Sequence, residues 1–225
     1  MSIGLMFATA VKAFLLIIST LFPIVDPLSG SPLFLAFTPQ YSTQTRRTLA
    51  LRVAIDSFWV LIASYFVGAK VLAFFGVSLP VVQVGGGLIV ISIGWSMLAQ
   101  KENQPGPDQR NVPPSDPYRR AFYPLTMPLT IGPGSISVAI TLGANVSHHY
   151  GFHITLVLAA LLGIAVIGAS IYLCYAFAST LARILGDTGM IIIVRLSAFL
   201  LICIGVQIAW NGASALLSSL VFQVR

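Results

Sequence analysis

The sequence predicts an all-α integral membrane protein with six transmembrane helices, arranged as two inverted three-helix repeats in one transmembrane domain. Three observations predict this class. The 225 residues are 57% hydrophobic and only 8% charged, whereas charged residues make up about 25% of a typical soluble domain. Apolar stretches of transmembrane length recur along nearly the whole chain. A proline pattern in the first of these stretches occurs a second time in the fourth.

Six apolar windows are long enough to cross a bilayer, which takes about 20 residues of α-helix. They are residues 8–38, 49–75, 81–100, 120–145, 153–179 and 192–219. The first and the fourth are longer than one straight helix needs for a hydrocarbon core of roughly 30 Å. Both contain prolines and glycines near the middle, so we expect helices 1 and 4 to be broken there.

The distribution of basic residues predicts the orientation. Nine of the 12 Lys and Arg residues follow the first, third and fifth windows: Arg46, Arg47, Arg52, Lys101, Arg110, Arg119, Arg120, Arg183 and Arg195. The other three, Lys12, Lys70 and Arg225, fall on the opposite side. Because cytoplasmic loops are rich in Lys and Arg, both termini are expected outside the cytoplasm. The net charge of +6 is therefore a topology signal, and no nucleic-acid partner is expected.

The two halves of the chain share a pattern. Prolines at 23, 27 and 32 correspond to prolines at 124, 128 and 133 with a constant offset of 101. The third window of each half, which is the third and the sixth of the chain, also shows a match: "GGGLIVISIG" (85–94) aligns with "LSAFLLICIG" (196–205). We therefore expect repeat one at about 1–100, a cytoplasmic Pro-rich linker at about 101–119, and repeat two at about 120–225. Because each repeat has an odd number of spans, the second copy enters the membrane from the side opposite to the first, and its topology is inverted.

The paired breaks predict a binding site. Ser31-Pro32 has the pattern of a helix start, with Ser as N-cap and Pro in the first helical position, and Gly132-Pro133 is its counterpart. A half-helix that starts inside the protein can hold an anion on its free N–H groups. The segment before each break exposes carbonyl groups for a cation, and Asp26 adds a negative charge. Such a site suits a zwitterion such as an amino acid, or a separate ion or proton.

We expect the substrate-binding residues to come from both breaks. The expected set is Asp26, Pro27, Ser29, Gly30, Ser31, Pro32, Thr126, Thr130, Gly132, Pro133, Gly134 and Ser135. N–H groups at Gly30 to Pro32 and Gly132 to Ser135 would hold a carboxylate, and Asp26 would hold an ammonium group or a coupling cation. Two structural alternatives stay open. Asp26 can cap the next half-helix, and the hydroxyl groups can satisfy broken backbone.

Other classes of function fit less well. Ser135 as a nucleophile would need a general base within reach, so we expect no enzyme activity and no catalytic residues. His148, His149 and His153 have no neighbouring carboxylate or thiol in the sequence, so no metal site is expected. The expected partners are the lipid bilayer and a small-molecule substrate, with a proton or sodium ion as the conceivable coupling ion. A channel and a non-transporting scaffold remain alternatives, and the oligomeric state stays open.

Four sequence elements resemble the MarC family, within the LysE-type transporter superfamily. They are "DPLSGSPLF", "GGGLIVISIGWSML", "PLTIGPGSI" and "RLSAFLLICIGVQIAWNG". The resemblance implies a six-span protein of the bacterial inner membrane and, for some relatives, transport of small neutral amino acids such as glycine or alanine. Relatives commonly have Asp/Asn-Pro-x-Gly-Asn-x-Pro, whereas residues 26–32 have the glycine displaced by one and lack the Asn. The expected function is secondary transport of a small zwitterion by alternating access.

Overall fold

The computed structural model describes residues 3–39, 41–99, 121–150 and 154–223, and all regular structure in these ranges is helical. The helices are α1 (Ile3–Val25), α2 (Pro27–Phe37), α3 (Thr43–Phe74), α4 (Leu79–Ala99), α5 (Ala121–Thr130), α6 (Pro133–Tyr150), α7 (Ile154–Ala176) and α8 (Ala178–Gln223). Helix α5 has π-type turns, and α8 is kinked at Gly186, where φ is 64°. The all-α class is confirmed. The expected linker at 101–119 lies outside the described residues.

Five segments of the described chain are long and apolar enough to cross a membrane: Ala8–Leu35, Thr43–Phe74, Leu79–Ala99, Ile154–Ala176 and Ile191–Ser218. They correspond to the first, second, third, fifth and sixth predicted windows. The fourth window, 120–145, is divided into α5 and α6 by the non-helical residues Ile131 and Gly132. This division is the reason that it does not form one continuous helix of spanning length.

The first span is broken at Asp26. Its backbone is left-handed, with φ 43° and ψ 63°, and α2 starts at the next residue, Pro27. A proline disfavours the α conformation in the residue before it, and Asp is one of the few non-glycine residues that adopt the left-handed region. Asp26 is the N-cap of α2, because its side chain accepts a hydrogen bond from the Ser29 N–H. The structural alternative for Asp26, helix capping, is therefore confirmed.

The fourth predicted window is interrupted at corresponding positions. Tyr123 and Met127 have extended backbone within α5, and each precedes a proline. Met127 lies 101 residues after Asp26, the same offset that relates the prolines. A second interruption at Ile131 and Gly132 ends α5, and α6 begins at Pro133. The expected breaks in helices 1 and 4 are thus present.

One expected helix start is wrong. Ser31-Pro32 does not begin a half-helix, because α2 already starts at Pro27 and both residues lie inside it. Asp26-Pro27 carries the same cap-then-proline pattern five residues earlier, and the chain uses this first occurrence. Pro32 is the sixth residue of α2, so its missing N–H leaves the Leu28 carbonyl without a helical partner. The other expected start, at Gly132-Pro133, is confirmed.

Helices α4 and α8 form an antiparallel pair that is in close contact along a line of glycines. Residues late in α4 meet residues early in α8: Gly94 lies against Ala198, Gly87 against Gly205, and Gly212 against Pro80. A Cβ atom on any of these four glycines would fall within 3.0 Å of atoms in the facing helix. Small residues allow the two backbones to approach, which is the usual basis of helix packing in membranes.

The contact between α4 and α8 is reciprocal. A Cβ on Gly94 would lie 2.8 Å from the carbonyl oxygen of Ala198 and 2.8 Å from Cγ1 of Ile202. A Cβ on Gly205 would lie 2.8 Å from the carbonyl oxygen of Gly87 and 2.8 Å from Cγ1 of Ile91. The offset that relates each residue to its counterpart is 111, the offset of the aligned third windows. Equivalent residues of the two halves therefore make equivalent contacts.

Several other helix contacts are also related by an exchange of the two halves of the chain. Helix α3 packs on α5 and α6, while α7 packs on α1 and α2. Helix α4 packs on α6 and α8 on α2, and α3 packs directly on α7. When the first half of the chain is exchanged with the second, the contacts of α3 become those of α7 and the α4–α6 contact becomes the α8–α2 contact. The α3–α7 contact is unchanged. The breaks lie inside this bundle, whereas many large apolar side chains, including those of Trp59, Trp95 and Trp210, face outward, as lipid contact requires.

Candidate functional site

Both breaks lie next to one side chain, Tyr175, near the end of α7. Its hydroxyl oxygen lies 2.9 Å from Oγ1 of Thr130 in the second break. On the side of the first break, a Cβ on Gly30 would lie 2.5 Å from the same hydroxyl oxygen. Tyr175 is buried, with 1% of its surface exposed. The two breaks therefore meet at a common point inside the bundle.

One oxygen of the Asp26 carboxylate accepts hydrogen bonds, and the other has no partner among the described residues. Oδ1 accepts hydrogen bonds from the Ser29 N–H and from the Ser197 hydroxyl on α8, each at 3.3 Å. Oδ2 is buried and makes no hydrogen bond of acceptable geometry within the described residues, and the same is true of the Ser29 hydroxyl. A buried polar atom without a partner is costly, and such atoms in native proteins call for an explanation. Asp26 Oδ2 and Ser29 Oγ are the candidate ligand-facing atoms of the first break.

The Asp26 and Gly30 N–H groups at the first break are already used. The Asp26 N–H donates to the Phe22 carbonyl at 2.9 Å, and the Gly30 N–H donates to the Asp26 carbonyl at 3.1 Å. Pro27 has no N–H, so the Pro23 carbonyl loses its helical partner and stays available as an acceptor. The expectation that N–H groups from Gly30 to Pro32 hold a carboxylate is wrong, because the helix starts earlier than expected. This break presents acceptors and suits a cation.

Ser31 connects the first break to α7. Its hydroxyl oxygen lies 2.8 Å from the Pro27 carbonyl and 3.2 Å from the Cys174 carbonyl. The first contact is within α2, where it supports the turn that leads to Pro32. The second crosses to the residue before Tyr175. Because a hydroxyl group has one hydrogen, it is shared between the two carbonyl groups, and the end of α7 lies next to the break.

Two threonines complete the backbone of the second break. Thr126 Oγ1 donates to the Ala121 carbonyl at 2.8 Å, and Thr130 Oγ1 donates to the Leu125 carbonyl at 2.7 Å. The Ile131 N–H donates to the Thr126 carbonyl at 2.8 Å. The structural alternative, in which hydroxyl groups satisfy broken backbone, is confirmed for both threonines.

The start of α6 supplies donors to the second break. Pro133 is the first residue of α6, and the Ile136 N–H makes an early helical bond to the Gly132 carbonyl at 3.2 Å. Gly134 and Ser135 belong to the first turn, so their N–H groups have no acceptor within the helix. Ser135 is buried, and Gly134 lies against Val90 of α4. The second break therefore suits an anion, whereas the first suits a cation.

Sequence reasoning missed Tyr175 and Ser197. Both lie in continuous helices, and only the packing of those helices brings them to the breaks. A tyrosine inside an apolar window is a usable signal, because a buried phenol hydroxyl usually has a hydrogen-bond partner. Ser197 has no comparable signal, since single serines are common in membrane helices.

Metal ligands do not cluster in the part of the chain that the structure describes: no group of three or more His, Cys, Asp or Glu side chains is found there. The side chains of His148 and His149, and all of His153, lie outside the described residues.

Apolar helices around buried, interrupted segments define a polytopic integral membrane protein. The sequence profile described as "MarC family integral membrane protein" matches residues 11–217. The chain belongs to this family.

Curated relatives cover most of the chain. The inner membrane protein MarC of Salmonella typhimurium is 31% identical over 210 residues, which are 89% of this chain and 94% of the relative. The protein of the same name from Citrobacter koseri is 33% identical over the same shares. A membrane protein of Archaeoglobus fulgidus is 28% identical over 202 residues, 90% of this chain and 92% of the relative. No solved structure matches the chain.

Proposed function

We propose that this protein is a secondary transporter of small neutral amino acids, or of similar small zwitterions, that works by alternating access. One observation carries the proposal: a carboxylate oxygen, Asp26 Oδ2, and the Ser29 hydroxyl are buried without partners at a break in a membrane span. An ionisable group inside a membrane is expensive and commonly marks a substrate or ion pathway. Discontinuous helices near the bilayer midplane are the usual location of such sites in secondary transporters.

The two breaks have complementary roles in this proposal. Asp26 Oδ2 and the free carbonyl groups before Pro27 bind the ammonium group of the substrate or a coupling proton or sodium ion. The N–H groups of Gly134 and Ser135, at the dipole-positive end of α6, bind the carboxylate. Ser29 and Thr130 orient the ligand between them. The other expected site residues shape the breaks: Pro27, Gly30, Ser31, Pro32, Thr126, Gly132 and Pro133.

Inverted repeats would supply the mechanism. The reciprocal contacts of Gly94 and Gly205 in an antiparallel helix pair support a two-fold axis perpendicular to those helices, and hence in the plane of the membrane. With α5 and α6 together as the fourth span, the protein has six spans in one domain, and both termini lie outside the cytoplasm. Movement of one repeat against the other would then expose the same site to each side of the membrane in turn.

Two relatives are named inner membrane proteins, which supports a location in the cytoplasmic membrane. The names of these relatives indicate no substrate. The class of substrate proposed for this chain rests on the opposite preferences of the two breaks.

Transport by the purified protein in liposomes tests the proposal. We expect saturable uptake of labelled glycine or alanine under an imposed proton or sodium gradient, and no uptake by the Asp26→Asn variant. Gln207→Ala is a matched control, since Gln207 is exposed and bonds Asn211 on its own helix. Absence of both uptake and exchange under every gradient would contradict the proposal. Conductance that does not saturate would favour a channel.

A further inference from the structure

We infer that Tyr175 is a gating residue: its side chain separates the two halves of the site, must leave Thr130 for a ligand to bridge them, and favours a small ligand. The part of this inference that concerns ligand size rests on the proposed function. The part that concerns the closed contact does not, because it follows from the packing of α2, α5 and α7.

The ring of Tyr175 is held by the first break and its hydroxyl by the second. The ring stacks on Phe34 of α2, with centroids 4.7 Å apart and planes inclined by 19°. The hydroxyl reaches Thr130 of α5 at 2.9 Å. One side chain of α7 therefore bridges both interrupted spans, and a relative movement of the two breaks has to break at least one of these contacts.

The direction of the Tyr175–Thr130 hydrogen bond follows from the neighbouring bond. Thr130 has a single hydroxyl hydrogen, which it donates to the Leu125 carbonyl at 2.7 Å. Tyr175 is therefore the donor to Thr130, and its oxygen keeps acceptor capacity. A ligand N–H group that enters between the breaks can donate to this oxygen, so the same residue can close the empty site and contact an occupied one.

Gly30 shows how little room the closed position leaves. A Cβ on Gly30 would lie 2.5 Å from the Tyr175 hydroxyl oxygen and 3.2 Å from Cε1 and Cζ of its ring. Even one methyl group therefore requires the tyrosine to move. Because the ring is stacked on Phe34, this movement is costly, so ligands with small side chains, which displace the ring least, should be favoured.

Few interactions hold the gate. Among the side-chain hydrogen bonds of the described residues, the bonds between the end of α7 and the breaks come from the Tyr175–Thr130 pair and from Ser31 to the Cys174 carbonyl. A hydrogen bond of ordinary net strength biases an equilibrium by roughly fivefold. The single hydroxyl hydrogen of Ser31 is shared with the closer Pro27 carbonyl at 2.8 Å, so the Tyr175–Thr130 bond and the stacking on Phe34 are the main contacts that opening has to break.

Modification of Cys174 reports gate opening directly. Cys174 is half-buried beside Tyr175, and Cys203 is the other cysteine. In a Cys203→Ala background, a small water-soluble methanethiosulfonate should modify Cys174 roughly fivefold faster in Tyr175→Phe and in Thr130→Val than in the parent. The double variant should be no faster than either single one, since both remove the same bond. Tyr172→Phe, on the same helix, is the control. Unchanged rates in both single variants would overturn the gate.

A compensation experiment tests the Gly30 contact by a different route. Gly30→Ala should lower the thermal unfolding temperature of the purified protein, and Tyr175→Phe should restore part of the loss, because it removes the closest atom. Gly85→Ala is the matched control, since a Cβ there meets nothing within 4 Å. A Gly30→Ala variant as stable as the parent, or a loss that Tyr175→Phe does not reduce, would contradict the inferred contact.

Uptake measurements separate the gate from the proposed function. The Tyr175→Leu variant should raise the ratio of leucine to glycine uptake by about tenfold, the discrimination typical of a small apolar pocket. If the parent transports neither amino acid while Tyr175→Phe still speeds the modification of Cys174, the proposed substrate class is wrong and the gate is supported. If the parent transports glycine while the uptake ratio and the Cys174 rates stay unchanged, the gate fails. Failure of both readouts contradicts both proposals.

Discussion

The hydroxyl of Ser197 lies 3.3 Å from Oδ1 of Asp26, across 171 residues of sequence. This contact joins the broken first span to α8, at the opposite end of the chain. It also gives the two carboxylate oxygens different environments, because Oδ1 is bonded by Ser197 and by the Ser29 N–H while Oδ2 is left without a partner in the described chain. Capping and ligand binding are therefore compatible roles, one for each oxygen.

The Ser197 contact predicts a small, specific loss of stability. Ser197→Ala removes one hydrogen bond to a charged acceptor and should lower the free energy of unfolding in detergent by about 1–2 kcal/mol. Ser96→Ala is the control, because the exposed Ser96 hydroxyl bonds only a carbonyl of its own helix. Equal stability of the two variants would show that the Ser197 bond does not hold α8 to the break.

Two substitutions of Asp26 separate its roles. Asn is as good an N-cap as Asp, so Asp26→Asn should keep the helix start, remove the charge, insert normally and lose transport. Asp26→Ala removes the cap as well and should be less stable than Asp26→Asn by about 1 kcal/mol. Thermal unfolding and uptake, measured on the same preparations, check both. A transport rate equal to the parent's in Asp26→Asn would assign the carboxylate to a structural role alone.

The reciprocal helix contact predicts equal effects at two distant positions. Gly94→Val and Gly205→Val both place a branched side chain against the facing backbone, and each should cost about 1–3 kcal/mol of stability from overpacking. Gly85→Val should be tolerated, because Gly85 of α4 is at an open position where a Cβ meets nothing within 4 Å. Chemical unfolding in detergent measures all three. A large loss at one glycine with none at the other would contradict the symmetry of the two halves.

The proposed arrangement of three spans in each half would place the segment 101–119 and the termini on opposite sides of the membrane. A reporter that fluoresces only in the cytoplasm should be active when inserted in the linker at 101–119 and inactive when fused after Arg225. A phosphatase that is active only outside the cytoplasm should give the reverse result. Cytoplasmic activity at both positions would require an even number of crossings in the second half, and the inverted arrangement would then fail.

The sequence predicted the helical class and the position of both breaks, because apolar length and proline spacing are local properties. It was wrong about Ser31-Pro32, since the same cap-then-proline pattern occurs at Asp26-Pro27 and local rules do not rank the two. That error concerns only the anion-binding part of the expected chemistry of the first break, since Asp26 was already expected to hold a cation there. Once α2 starts at Pro27, the Gly30 N–H is occupied, and the Asp26 Oδ2 atom is left buried without a partner in the described chain.

The residues that complete the site were beyond the reach of sequence patterns. Tyr175 and Ser197 reach the breaks only because α7 packs on α1 and α2, and α8 on α2. The α4–α8 contact was partly predictable, since the glycines and the alignment of the third windows are visible in the sequence. Which glycine meets which residue depends on the antiparallel register of the pair, and that is a tertiary property.

Counterflow in proteoliposomes tests the central claim, alternating access to one site built from two broken spans, most directly. Vesicles loaded with unlabelled glycine are diluted into a trace of labelled glycine without any ion gradient. We expect labelled glycine to accumulate transiently above its equilibrium level in the parent and in Gln207→Ala, and not in Asp26→Asn. Entry of label in the parent that does not respond to the internal glycine, or no entry at all, would contradict the account.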